Sequence, residues 1–144
     1  MTVWRQLAVL DASGAAAHHS GRHIQSHHKG VVGAACVAVG NILRHDEVPA
    51  AMIAAFEDGH ALALPERLLA ALEVGDRAGG EIQPLRSAAL LVVGRESFAY
   101  VDLRVDWSES PLTALRALWE RYVPEADAYV TRAIDPDRAG PPQR

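Results

Sequence analysis

The stretch "SAALLVVGRESFAYVDLRVDW", residues 87–107, constrains the fold more than any other part of this chain. Residues 88–93 are an unbroken apolar run, and Gly94, Arg95, Glu96 and Ser97 supply turn chemistry after it. Ala99, Val101, Leu103 and Val105 then alternate with Phe98, Tyr100, Asp102, Arg104 and Asp106. Successive side chains of a strand point to opposite faces, so this alternation predicts a strand with one buried and one wetter face. The continuous run predicts a central strand covered on both faces. A chain holding this pair must contain an antiparallel sheet with something packed against it.

The remaining elements follow from similar patterns. "RQLAVLDASGAAAHH" reads as two strands joined by a turn at residues 11–14, with residues 7–10 apolar enough to be covered on both faces. Over 47–57, Val48, Met52, Ala55 and Phe56 recur at helical spacing; Asp46 is the expected N-cap and Gly59 the stop. A second helix opens at Pro65, stacks Leu68, Leu69 and Leu72, and ends near Gly75. A third begins at Ser110–Pro111 and carries Leu112, Leu115, Leu118, Trp119 and Tyr122 along one face. The tail "DPDRAGPPQR" is Pro-rich and charged, so residues 136–144 are expected to be flexible. The order strands, helices, strands, helix predicts an α+β fold, with sheet packed on sheet and helices outside.

Composition excludes more than it assigns. The net charge is −4, and no Lys/Arg cluster is long enough to track phosphates, which disfavours nucleic acid as a partner. No apolar run approaches a membrane span, and Arg5 and Asp11 interrupt the apolar core that a signal peptide would need. The single cysteine, Cys36, sits in "GAACVAVG" with no adjacent base and reads as an inert thiol in a reducing compartment. A cytoplasmic location is the expectation.

Five of the seven histidines fall within residues 18–28. His19, His23 and His27 have the spacing of one helix face, but Ser20, Gly21 and the preceding hairpin oppose a helix there. On a strand those three would share a face yet span too far to chelate one ion. The cluster therefore reads as a solvated, loop-borne feature, with no metal site and no cofactor expected.

Three stretches together, "RQLAVLDASGAAAHHSG", "GNILRHDEVPAAMIAAFE" and "LPERLLAALEVGDRAGGEIQPLRSAALLVV", resemble the bacterial family known as domain of unknown function 1028, assigned to the Ntn-hydrolase superfamily. The resemblance implies one domain over residues 1–135, a four-layer αββα sandwich with antiparallel sheets. It also implies amide hydrolysis by an N-terminal Thr, Ser or Cys whose own α-amine is the base. In such sites backbone N–H groups hold the oxyanion. Family members carry a further N-terminal segment ahead of the strand matched by residues 5–11, so the fold is expected to be incomplete at its N-terminus. Thr2, exposed by Met removal, is the one candidate nucleophile in this chain, although it aligns near the end of a family helix.

The resemblance also marks a candidate small-molecule site at Asn41, Gly79, Gly80, Glu81 and Ser87, with His18 where the family also reads Ala-His. Glu81 stands where the family has Asp, Gln83 where it has Arg, and Val39 where it has the Gln before Gly40–Asn41. The expectation is an Ntn-hydrolase-like protein of impaired or absent activity. Its alternative is a non-catalytic ligand-binding or interaction domain. Missing strands would leave an unpaired sheet edge, so a homo-oligomer is expected.

Overall fold

The computed structural model describes residues 2–140. The protein is α+β, with three antiparallel two-stranded sheets and helices against them. It divides into two compact units, Met1–Pro84 and Leu85–Arg144.

In the first unit a 3-10 turn, Thr2–Trp4, leads into β1 (Gln6–Leu10), which pairs with β2 (Ala16–Ser20). The turn between them closes on Asp11, whose Oδ1 accepts from the Ser13 amide, the Ser13 hydroxyl and the Ala15 amide. These bonds, the Ser13 hydroxyl foremost, hold the Asp11 carboxyl below its ordinary pKa. β3 (Lys29–Gly33) pairs with β4 (Cys36–Gly40), and helices α1 (Val48–Asp58) and α2 (Leu64–Arg77) follow.

The layer order in this unit follows from alternation along the strands. Gln6 on β1 bonds to carbonyls of β3 and β4, and the His18 ring of β2 lies against Gly30 of β3, where no Cβ could fit. That face of the first hairpin therefore packs on the second. Gly33 points from the opposite face of β3, against Ile53 and Glu57 of α1, and Glu57 Oε1 accepts from the Ala34 amide at 2.7 Å. Hairpin, hairpin and helices form three successive layers. α1 and α2 meet where Gly75 lies against Met52, and the Arg67 guanidinium donates to Phe56 O from 3.9 Å above the Phe56 ring. Leu43, Val48, Ile53 and fully buried Leu69 make the core here.

The second unit holds β5 (Ala88–Val93) paired with β6 (Ala99–Val105), then α3 (Pro111–Tyr122), a 3-10 turn at Val123–Glu125, and α4 (Ala126–Ile134). Leu90, Val92, Val101, Leu115, Trp119 and Ala126 are its buried core. The Tyr122 hydroxyl donates to Tyr100 O at 2.8 Å and the Tyr100 hydroxyl to Asp127 at 3.0 Å, tying β6 to both helices. Burial raises both tyrosine pKa values, and Asp127 adds to the effect at Tyr100.

Several expectations need correction. β5 is not central: it pairs only with β6 among the described residues, leaving Leu91 and Val93 61% and 68% exposed. β1 is not covered on both faces: residues 7–10 are all exposed, and only Gln6 is half-buried. The N-cap of α1 is Glu47 rather than Asp46, with no side-chain cap bond. α2 runs past Gly75 to Arg77, because that glycine packs inside a helix pair instead of ending the helix. In the tail, Pro136–Arg138 form a 3-10 turn, while residues 141–144 lie outside the described residues. No described helix is long and apolar enough to cross a membrane.

Candidate functional site

The site grows from one polar residue in an otherwise apolar strand. Gln6 opens β1 and faces the second hairpin, where two main-chain carbonyls wait. Its Nε2 donates to Gly40 O at 2.9 Å, to Ser20 Oγ at 3.1 Å and, more weakly, to Lys29 O at 3.4 Å. Carbonyl oxygens only accept, so the amide nitrogen must face them. Oε1 then faces the other way and accepts from Asn41 Nδ2 at 3.0 Å. One side chain joins all four strands of the unit to Asn41.

Asn41 follows β4, and the residue after it is strained. Ile42 has φ +57°, a conformation that a β-branched residue rarely adopts. Three bonds hold this segment: Ile42 N–H to Ser26 Oγ at 2.9 Å, Leu43 N–H to His27 O at 3.1 Å, and Ile82 N–H to Ile42 O at 2.9 Å. Beside Gln6 and Asn41 opens a cavity of about 430 Å³, lined by Trp4, Gln6, His23, Ile24, Gln25, Ser26 and Asn41. Trp4 meets the His23 ring edge-on, with centroids 4.8 Å apart, and the His23 amide donates to Val3 O. The lining carries no Lys, Arg, Asp or Glu, so it suits an uncharged ligand with polar and apolar parts.

The other candidate residues are distributed differently. Gly79 and Gly80, at φ +126° and +54°, form the C-terminal cap of α2, with Gly79 N–H bonded to Asp76 O and Gly80 N–H to Gly75 O. Both amides are thus spent on the helix end. The loop joins Asn41's segment through the Leu43–Glu81 bridge and the Arg44 N–H bond to Gly80 O, but it does not line the cavity. Thr2 lies in the 3-10 turn, its carbonyl accepting from Arg5 N–H and 3.4 Å from His19 Nε2, also outside the lining. His18 is on β2 against Gly30. Ser87 is exposed ahead of β5 in the second unit. Burial, with the Glu57 carboxylate nearby, raises the Cys36 pKa and disfavours the thiolate.

Sequence reasoning missed Gln6, Trp4 and Ser26, and met His23 only as a member of the histidine cluster. A lone polar side chain within "RQLAVL" was the available signal.

The clustered histidines diverge. His18 packs on Gly30, His23 on Trp4, and His27 lies 3.4 Å from Asp46; His28 Nδ1 donates to Ser26 O at 2.8 Å. Among the described residues no three His, Cys, Asp or Glu side chains are grouped to hold a metal ion. Purified, tag-free protein is therefore expected to carry substoichiometric zinc or nickel by elemental analysis. One ion per chain, lost in His23→Ala, would overturn that expectation.

Comparison with known proteins agrees with this layout without supplying an activity. The crystal structure of a protein from Silicibacter pomeroyi, labelled with the DUF1028 family model, aligns at a TM-score of 0.74 and 36% identity. The alignment covers 82% of this chain and 50% of that one, so this chain spans about half the length of that relative. No curated protein matches. The model of the Family of unknown function (DUF1028) matches residues 2–115. This chain belongs to the DUF1028 family.

Proposed function

We propose that residues 1–135 form an Ntn-hydrolase-like domain that does not hydrolyse amides as this chain stands, and that binds a small uncharged ligand beside Asn41. The reading rests chiefly on the Gln6–Asn41 joint, which fixes a polar floor between packed hairpins at the edge of a cavity. The layering of hairpin on hairpin on helices is compatible with part of an αββα sandwich.

The same geometry argues against turnover. Thr2, the candidate nucleophile of this sequence, is not among the residues lining the cavity. Ser26 does line the cavity, but its Oγ accepts the Ile42 amide and has no histidine or carboxylate bonded to it among the described residues. The Gly79 and Gly80 amides, which could have held an oxyanion, serve the helix cap.

The expected result is no hydrolysis above background with acetamide or amino-acid p-nitroanilides. Comparison with Thr2→Ala and with an N-acetylated form tests the point directly. Activity in the parent that disappears in both would make Thr2 the nucleophile and reverse this reading.

A further inference from the structure

The outer edge of β1 carries an inference independent of any ligand. In an antiparallel pair, alternate residues send their N–H and C=O groups toward the partner strand. Arg5 O accepts from Gly21 N–H and Asp11 N–H donates to Ala15 O, within the register that sets Leu7 opposite His19 and Val9 opposite Ala17. The odd-numbered residues are thus the ones bonded to β2. Main-chain groups of Gln6, Ala8 and Leu10 point to the other edge, where no strand pairs with β1 among the described residues. Residues 7–10 are all exposed. Neither a proline nor a bulge blunts this edge.

The pattern along the strand selects the partner. Arg5, Leu7, Val9 and Asp11 share one face, reading cationic, apolar, apolar, anionic. Reversed in direction, that series is its own complement. We propose that two copies of this chain pair antiparallel through β1 about a two-fold axis at Ala8, giving a continuous four-stranded sheet. Leu7 then stands opposite the partner's Val9, and Arg5 opposite the partner's Asp11.

Other registers fail on chemistry. A two-fold at Leu7 or Val9 would keep the even-numbered residues hydrogen-bonded, but it sets Arg5 opposite the partner's Val9, or Asp11 opposite the partner's Leu7, and brings no opposite charges together. One at Gln6 or Leu10 leaves half the strand unpaired and sets no opposite charges together. At Ala8 the even residues form the hydrogen-bonded pairs and the odd residues the closer, non-hydrogen-bonded ones. Arg5 has no side-chain partner of its own among the described residues. Asp11 receives the turn's bonds on Oδ1, which leaves Oδ2 for the guanidinium.

Cross-linking in a Cys36→Ser background tests both pairing and register. Leu7→Cys and Val9→Cys chains, mixed and oxidised, should give a covalent dimer in high yield, and each alone far less, because only the mixed pair stands directly opposite. Light scattering should show the parent as a dimer. Arg5→Glu, which sets like charges opposite each other twice, should raise the dimer dissociation constant about tenfold or more. Circular dichroism of each variant establishes that it is folded. A parent that stays monomeric at all accessible concentrations overturns the proposal. A dimer that ignores Arg5→Glu and gives no mixed cross-link also overturns it, placing the interface elsewhere. Protection of the Gln6, Ala8 and Leu10 amides from exchange in a monomer would assign the edge to another segment.

Discussion

Leu69→Ala and Leu115→Ala are each expected to lower the unfolding free energy by about 2–5 kcal/mol, the range for emptying a well-packed leucine site. Both side chains are completely buried, Leu69 between α2 and its neighbours and Leu115 beneath β5 and β6. Truncation loses the transfer free energy of the removed methyl groups and also leaves a void that close-packed surroundings fill only in part. A domain of ordinary stability has about 5–15 kcal/mol in all, so either change removes a large share. Leu91→Ala is the control. Its side chain is apolar but 61% exposed, and the expected change is within about 0.5 kcal/mol. Urea unfolding of the three variants decides the matter. If Leu91→Ala unfolds as easily as Leu69→Ala, the burial described above is wrong for the second unit.

Gln6→Leu is expected to destabilise by about 1–3 kcal/mol, because it removes the partner of the part-buried Gly40 carbonyl while keeping the side-chain bulk. Gln6→Glu separates polarity from mere volume. A carboxylate there would face Gly40 O and Lys29 O, so the variant should bind a proton more tightly folded than unfolded. The sign is fixed by linkage. Its folded pKa lies above the unfolded value of about 4.3, so stability is fullest below that pH and falls as pH rises through the folded pKa. The parent should lack that loss in the same window. Unfolding midpoints measured between about pH 4 and 7 give the answer. A Gln6→Glu profile parallel to the parent's would mean that Gln6 is not the joint described.

The legible parts of the fold were those with strong local chemistry. The first and last hairpins, α1, α2 and α3 each follow from periodicity plus a Gly or Pro signal. The β3–β4 hairpin was hidden because its turn uses Ala34 and Ala35, with Ala35 at φ +53°, where sequence patterns lead one to seek Gly or Asn. α4 was hidden by Pro124, which reads as a stop, although the chain only tightens into a 3-10 turn and resumes. Leu91 and Val93 misled in another way: an apolar run announces that a surface favours cover, not that the cover belongs to the same layer. Asn41 was visible as a polar residue after a strand, and it does line the cavity. Gln6 was not, since a polar residue in a strand is ordinarily read as lying on the wet face.

Ile42 shows what that joint implies for molecular recognition. A β-branched residue held left-handed is unfavourable by about 1–2 kcal/mol, and it persists because three bonds, two from residues 26–27 and one from Ile82, hold it. The Asn41 carboxamide is accordingly aimed before any guest arrives. If the proposed ligand binds there, the entropic cost of ordering this loop is met during folding rather than at encounter.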